Sequence, residues 1–239
     1  MSGHSHWAGI KHRKGINDAK RAKIFTKLAK PIVIAAQEGG GNPALNFKLR
    51  LAIDKAREFN MPKDNIDKAI KRGTGESKEG NQIEEALYEG YGPGQIAMLI
   101  KTTTDNKNRT LGEVRNVMQK NGGKLVEGGS VSWQFEQVGN ILIGSENKEK
   151  DQIEMDILES GAKDFQESDE GFVVFTVPQE LQKIREYFEK NSYEVKDAGL
   201  IFLAKDLIEI DKNTRTSYEN LLEALDEQED VVEIFDNIV

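Results

Sequence analysis

The sequence predicts a multidomain chain of α and α+β class: an N-terminal three-helix bundle followed by two ferredoxin-like α+β domains, one inserted in the other. Three observations carry that expectation. Over 18–73 the apolar residues recur at three- and four-residue steps, the period of a helix face. From residue 95 onward, short β-rich runs alternate with helical stretches. Between the two regimes lies "GTGESKEGN" (73–81), polar and glycine-rich, which reads as a linker. The resulting domains are a basic arm and bundle at 1–76, a discontinuous α+β domain at 77–136 and 206–239, and an inserted α+β domain at 137–205.

The bundle begins at Asn17-Asp18, a helix start, with Phe25, Leu28 and Ile32 on one face. Pro31 falls inside that pattern and either kinks the helix or restarts it, because proline has no N–H to offer the preceding turn. Gly39-Gly40-Gly41 stops the segment. A second helix is expected from Asn42-Pro43, burying Leu45, Leu49, Ile53 and Ala56. Pro62 suits the first position of a third, which buries Ile66 and Ile70 and ends at Gly73.

Beyond the linker, "ALYE" (86–89) leads through "GYGPG" (90–94) as a hairpin turn into the strand "QIAMLIKTTT" (95–104). A helix over 108–122 and a strand "VSWQF" (131–135) follow. Residues 137–205 read as a closed β-α-β-β-α-β unit: "NILIGS" (140–145), a helix 148–161, strands at 164–167 and 172–177, a helix 178–191, and "LIFLA" (200–204). With that unit removed, the flanks give β-α-β, then "LIEI" (207–210), a helix 217–228 and "VVEIF" (231–235). The same order therefore reads twice, one copy nested in the other.

Charge is divided along the chain. The whole carries 33 Lys+Arg against 41 Asp+Glu, net −8, yet residues 1–75 hold sixteen Lys/Arg and six Asp/Glu, net +10, which leaves −18 for the remainder. The first thirty residues alone contain eight Lys/Arg, a single acid (Asp18), all three histidines and Trp7. Such a split points to an electrostatic task for the basic part, with nucleic acid as the partner. No run of about 18 apolar residues predicts a membrane helix, the N-terminus lacks the apolar core of a secretion signal, and the absence of cysteine suits a reducing cytoplasm.

Within the arm, Trp7 stands among Lys11, His12, Arg13 and Lys14. Cations neutralise phosphates, and an indole either stacks on an unpaired base or folds back as an apolar anchor on the bundle. Lys20, Arg21, Lys23 and Lys27 extend the cationic series onto the first helix. His4, His6 and His12 do not make a convincing metal site, since stable zinc sites use four ligands and neither thiolate nor sufficient carboxylate is at hand. "GYGPG" leads into a strand and not a helix N-terminus, so it is no phosphate cradle. No histidine outside the arm and no Gly-x-Ser-x-Gly elbow is present, so no catalytic residues, cofactor or metal are expected. "TTTDNKNRT" (102–110) places Asp105, Asn106, Asn108 and Arg109 in a polar turn, which either faces a partner or caps the following helix.

Five stretches, taken together, resemble the YebC/PmpR family: "GHSHWAGIKHRK" (3–14), "DAKRAKIFTKL" (18–28), "LRLAIDKAREFNMPKDNIDKAIKRGTG" (49–75), "YEGYGPG" (88–94) and "TTDNKNRT" (103–110). The resemblance is strong through about residue 136 and looser beyond. It implies a helical bundle followed by two α+β domains, and a cytoplasmic, nucleic-acid-associated regulator, described in the family both as a DNA-binding transcriptional regulator and as a factor acting on translation. A ribosomal partner belongs to the second description; neither implies a membrane. Two departures stand out. Lys30-Pro31 stands where the family commonly has charged residues, which implies a bend in the first helix, and "GGKLVEGG" (122–129) replaces its usual "GGNLG".

Overall fold

One long helix, α1 (Asp18–Gly39), runs through Pro31 without stopping or restarting and buries Leu28 and the run Ile32–Ala36. The computed structural model describes residues 18–77, 82–145 and 148–239, with the side chains of 18–20 outside that set. After α1, residues 42–46 form a turn in which the N–H groups of Leu45 and Asn46 both donate to the Asn42 carbonyl. The second helix, α2 (Phe47–Glu58), therefore begins later than Asn42-Pro43. Its N-cap is Asn46, whose Oδ1 accepts from the Leu49 N–H at 3.0 Å, while its Nδ2 donates to the carbonyls of Ala35 and Gly40 at 2.7 and 2.9 Å. One buried amide thus serves the orphaned groups at the end of α1 and at the start of α2. Leu45, expected in the core, sits in that turn and is exposed, whereas Leu49, Ile53 and Ala56 are buried as their spacing demands.

The third helix, α3 (Lys63–Gly73), starts directly after Pro62 and buries Ile66 and Ala69, with Ile70 half-buried. Its last residue lies so close to α1 that a Cβ on Gly73 would come within 2.4 Å of the Val33 carbonyl oxygen and 2.6 Å of the Ala36 methyl. Only glycine allows that approach.

The chain divides into two compact units, Met1–Phe135 with Ala204–Val239, and Glu136–Leu203. In the first, β1 (Glu84–Tyr91) and β2 (Ala97–Thr104) pair as an antiparallel hairpin from Glu84↔Thr104 to Tyr91↔Ala97. They are joined by a 3-10 turn, Pro93–Gln95, in which Gly94 takes φ 71°. Then come α4 (Lys107–Lys120) and the short β3 (Lys124–Val126), which pairs with β1.

The second unit takes β4 (Phe135–Ile143), α5 (Lys150–Glu159), β5 (Asp164–Ser168), β6 (Gly171–Thr176), α6 (Leu181–Lys190) and β7 (Val195–Ala204). Its sheet has the order β5-β6-β4-β7, with Ile141, Ile143, Ile153, Ile157, Val174 and Phe188 among its buried residues.

The chain then returns to the first unit with α7 (Lys212–Asp226) and β8 (Val231–Asp236), closing a sheet of order β3-β1-β2-β8. Met98, Ile100, Val114, Met118, Tyr218, Leu221 and Ile234 fill the core between this sheet and its two helices.

Three expectations about this sheet fail. "LIEI" (207–210) alternates like a strand but makes only one bridge, Ile208 to Ile238. The sheet's fourth strand is instead β1, ahead of β2, so the flanking domain does not repeat the order β-α-β-β-α-β. "VSWQF" is a 3-10 turn, Ser132–Gln134, that runs into β4.

Candidate nucleic-acid interface

The arm residues Trp7, Lys11, His12, Arg13 and Lys14, and the side chain of Lys20, lie outside the described residues. So do His4 and His6. The described part of the predicted cationic face is Arg21, Lys23 and Lys27 on α1, with Lys30 one turn further. Arg21 is exposed. Positions 23, 27 and 30 share one side of a helix, and all three reach a single acidic segment, "DEQED" (226–230), which ends α7 and leads into β8.

Each contact has a different character. The Lys23 ammonium lies 2.8 Å from the Glu227 carboxylate with both side chains more than half exposed, and the hydrogen bond and charge of Glu227 raise the lysine's pKa. Lys27 is 4% exposed, and its Nζ donates to the Asp226 carbonyl at 2.5 Å and to its carboxylate at 3.2 Å. Helix carbonyls at a C-terminus lack intrahelical donors and carry partial negative charge, so a buried lysine there acts as a cap. Burial nonetheless pushes the Lys27 ammonium below its ordinary pKa against the pull of Asp226. Lys27 is therefore a buried contact of the fold in this conformation, turned to Asp226. Lys30 donates to the Glu229 carbonyl at 2.9 Å and to Asp230 Oδ1 at 2.5 Å.

The polar turn at 105–109 converges on the same place. Asn106 Oδ1 accepts from the Arg109 N–H at 3.1 Å, which makes it the N-cap of α4. The Arg109 guanidinium donates to Asp105 at 2.8 Å and to Asp230 Oδ2 at 3.0 Å, and the Thr110 hydroxyl donates to that same Asp230 oxygen at 2.6 Å. Asn108 is exposed. Asp105 and Arg109 thus take part in internal ion pairing. Burial alone would raise the Asp230 pKa; donors from Lys30, Thr110 and Arg109 outweigh it and hold the carboxyl at about 2.

Beside this node lies a cleft of about 440 Å³, walled by Lys30, Arg72 and Arg109 but also by Asp105, Glu113, Glu229 and Asp230. With Glu227 its five acids outnumber its three cations, so it repels phosphate. Among the described residues no three His, Asp or Glu side chains are grouped to hold a metal ion. No described helix is long and apolar enough to cross a membrane.

A second buried carboxylate had no counterpart in the sequence reading. Glu89, on β1 and 7% exposed, accepts from the backbone N–H groups of Gly129, Val131 and Ser132 at 2.7, 2.5 and 2.9 Å. Burial raises its pKa, and the three N–H groups more than reverse that, leaving it lowered. The segment 129–132 is folded onto one charge.

Comparison with known proteins places this architecture. Residues 5–76 match the model of the TACO1/YebC protein N-terminal domain, and residues 83–238 that of the TACO1/YebC second and third domain. A probable transcriptional regulatory protein of Dictyoglomus turgidum is 47% identical over 238 residues, covering 99% of this chain and 95% of that protein. Another of the same description, from Thermoanaerobacter pseudethanolicus, is 44% identical over 239 residues, 100% of this chain and 97% of the relative. The crystal structure of a conserved hypothetical protein from Aquifex aeolicus superposes with a TM-score of 0.86 at 41% identity, over 98% of this chain and 97% of that one. With both family models matched and relatives of this similarity over the full length, the chain belongs to the TACO1/YebC family, the YebC/PmpR family that its motifs resemble.

Proposed function

We propose that this chain is a nucleic-acid-binding regulator of gene expression, in the cytoplasm, that acts on transcription by binding DNA. The observation that carries the reading is the charge partition: net +10 over residues 1–75 against −18 over the rest. The relatives' description as probable transcriptional regulatory proteins supports it. Lys11, Arg13, Lys14, Lys20 and Arg21 are assigned to phosphates, and Trp7 and His12 to bases. Lys23, whose exposed pair with Glu227 exchanges readily for phosphate, joins them. The acidic α+β domains repel indiscriminate binding. We assign no catalytic role: Glu89 and Asp230 are saturated by donors, and their lowered pKa values leave no proton to give at neutral pH.

A second reading, a translation factor on ribosomal or transfer RNA, is favoured by one observation. From Lys23 onward the cations of α1 face the 226–230 carboxylates. A duplex reader presents such side chains on a rigid element that fits the major groove, whereas irregular RNA accepts cations and an aromatic from an arm.

Fluorescence anisotropy of the intact chain on duplex DNA and on structured RNA, across a salt series, tests both. About six phosphate contacts give a slope of log K against log salt of roughly −4 to −5. Deleting residues 1–16 should flatten the slope. Unchanged affinity after that deletion rejects the arm as the binding element, and the preferred ligand separates the two readings. Trp7→Ala separates them again: on the RNA reading it should weaken binding to structured RNA by about 1–3 kcal/mol, the worth of a base stack, and leave duplex DNA binding unchanged, whereas a loss confined to one DNA sequence favours the DNA reading.

A further inference from the structure

Trp133 is a large aromatic left 64% exposed on a segment whose backbone is fixed. Its indole N–H donates to the Ser130 carbonyl at 3.0 Å, and the residues just before it are held by the Glu89 carboxylate. Burying a charge to order a surface loop is costly unless the loop's geometry is needed. A fixed ring also loses little entropy when something lies against it.

The surroundings indicate what that partner is. The Lys205 ammonium donates to the Trp133 carbonyl at 2.7 Å, and the Lys205 N–H donates to the Gln134 carbonyl at 2.8 Å. The Gln134 side chain donates to the Tyr91 hydroxyl at 3.3 Å, and the Lys124 ammonium sits 5.7 Å from the centre of the Tyr91 ring. A continuous chain of contacts therefore joins two aromatic rings and two lysines. Among the described residues neither Lys124 nor Lys205 has a carboxylate partner, while Lys101, Lys107 and Arg109 of the same domain are each ion-paired. In the acidic part of an acidic chain, this is a cationic and aromatic patch.

We propose that Trp133, with Lys205 and the Lys124–Tyr91 pair beside it, is a second nucleic-acid contact, which takes an unpaired base of a single strand on the indole face and neighbouring phosphates on the two ammonium groups. Stacking on an exposed ring with lysines alongside is the chemistry of single-strand binding, tolerant of sequence because every base has a π-face. A duplex offers no free base face to it. The proposal rests on the nucleic-acid reading above but places the contact outside the arm, in the acidic domain.

The chain contains two tryptophans, so in a Trp7→Phe background the emission reports Trp133 alone. Titration with oligo-uridine RNA and oligo-thymidine DNA should quench that emission, and a matched duplex should not. Trp133→Ala in the intact chain should weaken single-strand binding about five- to a hundredfold, with thermal unfolding unchanged because the ring is exposed. Replacing Lys124 and Lys205 by alanine together should make the salt slope about 1.4 shallower. Single-strand binding with no quenching and no loss in Trp133→Ala overturns this proposal and leaves the arm reading intact. An intact chain that binds no nucleic acid overturns both. Loss, in Trp133→Ala only, of co-sedimentation with a nuclease-treated protein fraction, with RNA affinity unchanged, would assign the patch to a protein partner and overturn the proposal.

Discussion

Asp230 receives Lys30 on one carboxylate oxygen and Arg109 on the other, at 2.5 and 3.0 Å. With the Thr110 hydroxyl on the second oxygen as well, one side chain, 6% exposed, ties α1 to α4 and to the turn before β8. Arg109, which the sequence offers as a possible partner contact, is ion-paired inside the fold by it, together with Lys30 of the basic helix.

Replacing Asp230 should be correspondingly costly. Asp230→Asn leaves Lys30 and Arg109 facing a neutral amide and is expected to lower unfolding free energy by about 2–3 kcal/mol, measured by urea titration at pH 7. The pH dependence has a fixed sign. A carboxyl lowered from 3.8 to about 2 contributes stability that is fully present above pH 3.8 and lost as pH falls through 2. The shift corresponds to about 2 kcal/mol. Asp230→Asn should flatten the stability profile between pH 4 and 2; an unchanged profile would show that the carboxylate is not held by these donors.

Lys23 and Lys27 are four residues apart on the same helix, and only one of them should affect nucleic-acid binding when truncated. Lys27→Met leaves the Asp226 carboxylate, 31% exposed, in contact with water, and removes an ammonium that burial already disfavours. Stability should change by less than about 1 kcal/mol, and the salt slope of nucleic-acid binding should not change at all. Lys23→Ala should leave stability alone and make that slope shallower by about 0.7–0.9. A slope change in Lys27→Met would mean that the lysine leaves Asp226 to meet the ligand.

Gly73→Ala tests the packing of α3 on α1. The added methyl meets the Val33 carbonyl, a backbone atom that cannot swing aside. The expected cost is about 1–3 kcal/mol, read from thermal or urea unfolding. A neutral or stabilising result would show that the helices part easily, since alanine is otherwise the better helix residue.

Residues 137–205 are expected to fold when expressed alone, because their sheet and core residues are contained within the unit Glu136–Leu203. Well-dispersed amide resonances from the fragment would support an inserted domain; a narrow, unfolded-like spectrum would refute it.

What the sequence disclosed follows from the range of the interactions involved. Leu49, Ile53, Ala56 and Ile66 are legible because helix burial is periodic and local. The start of α2 lies four residues beyond the one expected because Asn42 and Asn46 are equally good caps by sequence; only the reach of Asn46 to Ala35 and Gly40 decides between them. The strand β1 was seen only in part, since Glu84, Glu85 and the buried Glu89 break its apolar alternation. Conversely "LIEI" alternates well and forms no strand, its place in the sheet being held by β1. The cations of α1 looked outward because their carboxylate partners stand about two hundred residues away in sequence. Spacing alone carries no information on such a pairing.

The lysine cap on α7 also sets a length scale. With Lys27 buried against Asp226 and Lys30 against Asp230, the N-terminal half of α1 is a fixed root for whatever precedes Asp18. An extended chain covers at most about 3.5 Å per residue, so Trp7, eleven residues ahead of Asp18, lies within roughly 40 Å of the first turn of α1. Covalent length alone thus sets a radius. Any base that Trp7 meets, and any phosphates met by Lys11 to Lys14, must fall inside that sphere, centred on a turn whose own position is set by carboxylates at the far end of the sequence.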